Sequence, residues 1–264
     1  MSIAEKFEII ADAVYEKGLA DGKAEGGNTE EVYNQGVTDG RQAEREEFWD
    51  GFFKSKFWYG RFSGGGWNVD TFKPIYPQEK ITPSGASHQT SVERMFWKFG
   101  MEPTYQMPIV DLAEFCSHFD FSQVTNADDM FWDARAKNIN IDLSSCTKLL
   151  STFRGGNGGS LDNITLTVSE LCTNFGNAFL AQTSLKNITF TDNSVIAASI
   201  KFAQSPLNKQ SIISVINALS STASGQTLTL KKTAVQSAFG TNYDSSTEWT
   251  TLKNSKSNWT ISLS

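Results

Sequence analysis

Ile139-Asn140-Ile141-Asp142-Leu143, Ile164-Thr165-Leu166-Thr167-Val168 and Ile188-Thr189-Phe190-Thr191 alternate apolar and polar residues without a break. Successive side chains of a strand point to opposite faces, so each stretch predicts a half-buried β-strand. Phe119-Asp120-Phe121-Ser122 is a shorter copy upstream. Aligning Phe121, Leu143, Leu166 and Phe190 gives intervals of 22, 23 and 24. At that period each unit is one strand with its return, too small to bury its own apolar face, so neighbouring units must stack.

A second landmark keeps pace with the strands. Phe131, Phe153, Phe179 and Phe202 each follow an aligned position, ten to thirteen places further along the chain. One unit therefore reads as a strand, a polar turn, then a short helical or coiled back whose Phe plugs the core. The fold class expected is α/β, with a short leucine-rich-repeat solenoid over residues 91–205. The Gly-rich stretch 155–159 lengthens one turn, and the longer interval from Phe153 to Phe179 loosens the register.

Residues 206–264 read as an α+β cap. Pro206-Leu207 opens a helical segment with Ile212, Ile213, Val215, Ile216 and Leu219 as its apolar stripe. Thr227-Leu228-Thr229-Leu230 is a strand, Thr247–Lys253 a helix, and Trp259-Thr260-Ile261-Ser262-Leu263 the last strand. Terminal units of a stack need such covering.

Towards the N-terminus the composition changes. Residues 1–50 hold 5 Lys/Arg against 13 Asp/Glu, a balance of −8, whereas residues 51–264 hold 18 against 16. The acidity belongs to a helical arm over residues 1–47. There Val14-Tyr15-Glu16-Lys17-Gly18-Leu19-Ala20-Asp21-Gly22 returns, five helical turns further on, as Val32-Tyr33-Asn34-Gln35-Gly36-Val37-Thr38-Asp39-Gly40. A repeat of whole turns would project both copies from one helix face. Val14, Tyr15, Gly18, Gly22, Val32, Tyr33, Gly36 and Gly40 are the oligomerisation candidates, with a trimer preferred by analogy with fibre proteins. A flexible acidic tether is the competing reading, since Gly costs about 1 kcal/mol per helical position relative to Ala. Residues 48–90 form an aromatic collar and linker, with 11 aromatics between 48 and 76. That density predicts packing against neighbours rather than a sugar-binding platform.

Composition also excludes several functions. The 3 Cys, at 116, 146 and 172, make no disulfide framework and no paired zinc spacing, and the 2 His make a histidine-built centre an unsuitable reading. No metal and no cofactor are expected. Lys and Arg are not clustered enough for nucleic acid. No apolar run reaches the length of a membrane span, and Met1–Lys6 lacks the start of a signal peptide, so a chain made in the cytoplasm and not inserted in a membrane is expected.

Phe48-Trp49-Asp50, Gly66-Trp67-Asn68, Thr71-Phe72-Lys73-Pro74, Tyr76, Val124-Thr125-Asn126, Ile188-Thr189-Phe190 and Asn258-Trp259-Thr260-Ile261-Ser262-Leu263 resemble proteins encoded in phages and prophages of Gram-positive (Firmicutes) bacteria. The central units are similar to the BspA-type leucine-rich repeats of bacterial surface proteins; Asp120-Phe121-Ser122, Asp142-Leu143-Ser144 and Leu185-Lys186-Asn187-Ile188 carry that likeness. The resemblance implies a phage virion structural protein of the tail-fibre or receptor-binding type, located in the tail or another exposed part of the particle. It implies no catalytic residues. Its partners would be copies of itself, other virion proteins through the arm, and host cell-surface polysaccharide or protein. The alternatives are a cell-surface leucine-rich-repeat adhesin and a non-adhesive structural part of the particle.

Candidate chemistry is thin in the sequence. Cys116, His118 and Asp120 stand close together, but spacing alone neither orients a base nor activates a thiol. Asp128, Asp129 and Asp133 lack the alternating ligands and turn Gly of a calcium loop. Asn163-Ile164-Thr165, Asn187-Ile188-Thr189 and Asn258-Trp259-Thr260 match glycosylation sequons and read here as turn-to-strand starts. The chain is expected not to be an enzyme. The surface-binding candidates are the outward residues of the ladder: Asp120, Ser122, Asn140, Asp142, Thr165, Thr167, Thr189 and Thr191. Rows of hydroxyls, amides and carboxylates suit a polar polymer, and they also suit any solvated sheet.

Overall fold

A computed structural model describes residues 91–97, 110–117, 119–156 and 160–264. The arm with its eight oligomerisation candidates, the collar and His118 lie outside the described residues. What is described is a mixed α/β structure of small parallel sheets, none closed into a barrel.

Strands β1 (Val110–Asp111), β2 (Arg135–Lys137) and β4 (Ser160–Leu161) form one sheet in the order β1-β2-β4. A second has the order β3-β5-β6, from β3 (Ile139–Asp142), β5 (Asn163–Thr167) and β6 (Asn187–Phe190). Both are parallel throughout. A short helix, α1 (Ala113–Ser117), follows β1. Asn138 separates β2 from β3 in the left-handed region, with φ 53°, a conformation Asn tolerates because its short side chain bonds locally. Its amide donates to Asp111 Oδ2 at 2.5 Å and its carbonyl accepts from Asn163 Nδ2 at 2.8 Å. Asn163 and Asn187 are register partners, and Asn208 donates to Asn187 Oδ1 at 2.6 Å. A column of side-chain amides thus runs beside the strands, and two of the three sequon asparagines open strands, as the sequence suggests.

Register differs from the sequence alignment. Ile141, not Leu143, is the partner of Leu166, and Leu166 is the partner of Phe190, so the interval of 23 becomes 25 and the interval of 24 stands. Ile141 and Leu143 are both buried and lie two apart. A slip of two keeps the same face inward, so alternation cannot choose between them. With the step from Ile141 to Leu166 at 25, the long step from Phe153 to Phe179 no longer loosens the register.

The phenylalanine landmark forms a column. Phe96, Phe131, Phe153 and Phe179 stack with centroids 5.2, 5.5 and 5.2 Å apart and interplanar angles of 5°, 8° and 8°. Phe202 adds a tilted ring 4.5 Å beyond Phe179. Each such pair contributes about 0.5–1.5 kcal/mol beyond its area burial. The back that carries these rings is not helical but a series of tight turns, and Arg94, Asp129, Ser151 and Asn177, each two before a stacked Phe, have φ of 52° to 58°. The turns are bonded to one another: Phe96 N–H donates to Met130 O, Phe131 N–H to Thr152 O and Phe153 N–H to Ala178 O, at 2.7, 2.7 and 2.9 Å. Both the strand side and the turn side of each unit are therefore hydrogen-bonded to the next.

Helix α2 (Lys209–Ala218) begins at Asn208, whose side chain accepts from Ser211 N, and buries Ile212, Val215 and Ile216. It lies along the edge of β6. Ser211 Oγ accepts from Ile188 N and Ser214 Oγ from Phe190 N, each at 2.8 Å. Open strand edges invite further pairing, and these hydroxyls close this one. Beyond it, β7 (Ile200–Phe202), β8 (Gln226–Leu230) and β9 (Trp259–Leu263) make a third parallel sheet, order β7-β8-β9. Helices α3 (Lys232–Phe239) and α4 (Thr247–Asn254) complete the segment, with Trp249 of α4 buried against Phe239 and Tyr243.

Candidate functional site

Of the surface the sequence singles out, the outward row of β3-β5-β6 holds Asn140, Asp142, Thr165, Thr167 and Thr189; Phe119–Ser122 forms no strand, contrary to its alternation, so Asp120 and Ser122 lie outside the sheet, and Thr191 follows the end of β6. Register pairing sets Asn140, Thr165 and Thr189 side by side, and Asp142 beside Thr167. Asn140 and Thr189 are exposed; Asp120, Ser122, Asp142, Thr165, Thr167 and Thr191 are half-buried. Four of these have local work that the alternation does not reveal. Asp120 accepts from Ser122 N and Asp142 from Ser144 N, both at 2.9 Å, so each Asp-(Leu/Phe)-Ser step is a side-chain-closed turn. Thr191 Oγ1 lies 3.0 Å from both Thr167 Oγ1 and Ser194 Oγ. What remains of the row outside these bonds is Asn140, Thr165 and Thr189, with the Asp142 carboxylate at one end.

Asp128, Asp129 and Asp133 do not converge. Asp128 pairs with Lys148 Nζ at 2.7 Å and accepts from Leu150 N; Asp129 pairs with Arg94 Nε at 3.1 Å. Among the described residues no group of three or more His, Cys, Asp or Glu is placed to hold a metal ion, and no helix is long and apolar enough to cross a membrane.

The thiols are shielded. Burial pushes Cys116 and Cys146 up to about 12 and Cys172 up to about 11. Cys146 Sγ donates to Val124 O at 3.0 Å. A nucleophile needs the thiolate, which this environment disfavours, so their place is packing. The unfolded thiols ionise near 9 and the folded ones well above it, so the protonated fold keeps its full stability below pH 9 and loses it as pH rises towards 12. The expected slope is about 1.4 kcal/mol per pH unit for each thiol. Urea titrations from pH 8 to 11 should show this fall, and Cys146→Ala should reduce its slope by about a third; a flat profile in the parent protein would refute the shielding.

Two features outside the ladder are not legible in the sequence. Trp97 and Trp132 lie 6.0 Å apart, and the Arg154 guanidinium sits 4.7 Å over Trp132. One face of the Trp132 ring is thus covered by a cation. An open groove of about 320 Å³ between α3 and the 3₁₀ turn Tyr243–Ser245 is lined by Lys232, Gln236, Tyr243 and Asp244 among others, none of them buried. No family model, curated protein or solved structure matches this chain.

Proposed function

We propose that the chain is a phage virion structural protein of the tail-fibre or receptor-binding type, whose residues 91–205 form a short leucine-rich-repeat solenoid that binds the bacterial surface. The observation that carries this reading is the in-register parallel ladder with a polar outward row at Asn140, Thr165 and Thr189. Stacked units bonded only to their neighbours make an extended surface on which one contact recurs at strand spacing, which suits a repeating polymer. The shielded thiols add support, because they offer no activated sulfur for covalent chemistry. The acidic arm would join copies of the chain to one another and to other virion proteins. Joining weak sites raises avidity by about 10² to 10⁴.

The full chain, incubated with purified Gram-positive cell walls in the presence of chelator, should be retained without releasing soluble sugar. Asp142→Lys together with Thr165→Lys should reduce retention several-fold. Release of sugar would point to an enzyme instead, and absence of retention to an internal part of the particle.

A further inference from the structure

The third sheet has an outward face of its own. Its register sets Thr227 beside Thr260 and puts Lys201, Thr229 and Ser262 in one row. Ile200, Phe202, Leu228 and Leu230 point inward and are buried, whereas Lys201 and Thr260 are exposed and Thr227, Thr229 and Ser262 half-buried. The backbone stays extended at Lys231, φ −70° and ψ 122°, so the alternation carries this half-buried lysine onto the same side, one step past Thr229. Thr229 Oγ1 and Ser262 Oγ lie 3.0 Å apart.

Every outward position of these strands is thus a hydroxyl or a lysine, and none is a carboxylate. The β3-β5-β6 face differs in sign, because Asp142 stands in its row. Hydroxyls donate and accept in any direction a sugar requires, and a lysine ammonium on its flexible stem is a point charge that meets an anionic group without strict geometry. The chain as a whole carries −6, so its overall field repels a polyanion. Retention of one would have to come from a local surface of this composition.

We propose that the outward face of β7-β8-β9 binds acidic polysaccharide, with Thr227, Thr229, Thr260 and Ser262 meeting sugar hydroxyls and Lys201 and Lys231 meeting the polymer's anionic groups. This rests on the surface-binding reading above and adds to it a second face and the charge of the polymer.

The test passes the full chain over immobilised polygalacturonate, dextran sulfate and neutral dextran. The two acidic polymers should retain it and the neutral one should not, with retention falling as salt rises through the range where the screening length drops below about 10 Å. Lys201→Glu with Lys231→Glu should weaken retention by about tenfold or more. Lys201→Ala with Lys231→Ala is the milder pair should the charge reversal disturb folding. Lys253→Glu, on an exposed position of α4, should leave retention intact. Equal retention of the parent and the Lys201/Lys231 variants overturns the proposal. So does equal retention on neutral dextran, or competition by a single-stranded oligonucleotide that matches the acidic glycan charge for charge. If bacterial walls hold parent and variant alike, this inference fails while the surface-binding reading stands; if walls hold neither but polygalacturonate still separates them, the reverse is true.

Discussion

Replacing Phe153 by Ala is expected to cost about 3–5 kcal/mol, and to loosen units on both sides of the substitution. Its ring is fully buried and stacked against Phe131 at 5.5 Å and Phe179 at 5.2 Å. Removing it leaves a gap in a continuous column, and the main-chain bonds of the turn fix the distance across that gap. Phe153 N–H donates to Ala178 O, and Phe153 O accepts from the buried Gln182 amide at 2.7 Å. Denaturant titration should read the loss. Hydrogen exchange should show faster exchange at Phe131 as well as at Phe153. Exchange confined to Phe153, or a negligible change in stability, would show that the units do not support one another.

Gly155→Ala should cost about 1–3 kcal/mol, a large effect for one methyl group. A Cβ at Gly155 would lie 2.4 Å from Ala181 O and 2.9 Å from Ala181 C. Both are main-chain atoms of the next turn, which Gly155 itself holds through its N–H bond to Leu180 O at 2.8 Å. No side-chain rotation relieves the clash, so the two turns must part. At Gly156 the nearest atoms belong to the Asp133 carboxylate rather than to main chain, and Gly156→Ala should cost less. Equal stability of Gly155→Ala and the parent would mean the turns stand further apart than this contact requires.

The existence of strands is readable from the alternation at 139–143, 164–168 and 188–191, and the helix at Lys209–Ala218 and strand at Trp259–Leu263 fall where their patterns place them. What escapes is whatever the alternation leaves degenerate or hides. Ile141 and Leu143 are equally good inward residues, so only the structure decides which of them pairs. Strand β2 has one inward side chain, Ala136, between two long basic residues, too little pattern for a strand to be read. Left-handed residues before the stacked rings are Arg, Asp, Ser and Asn, not the Gly that would have marked them. Phe96 escapes because it stands much further from Phe131 than one repeat, outside the period of the rest. On the candidate surface the hydroxyl row is legible, but the turn-closing role of Asp120 and Asp142 depends on an amide two places onward whose direction no periodicity gives. Lys201 of the third sheet escapes for another reason: Phe202 belongs to the ring column, which conceals that Ile200–Phe202 is also a strand.

The serine contacts of α2 set a limit on what they close. A strand advances about 3.3 Å per residue and a helix about 1.5 Å, so Ile188 and Phe190 are about 6.6 Å apart while Ser211 and Ser214 are about 4.5 Å apart along their axis. Hydroxyl reach absorbs that difference over two contacts. Over a third it would double, like two rulers of unequal division laid edge to edge. The short span of β6, Asn187–Phe190, is therefore matched to its neighbour: a longer last strand would outrun the helix and leave amides with no hydroxyl to meet them.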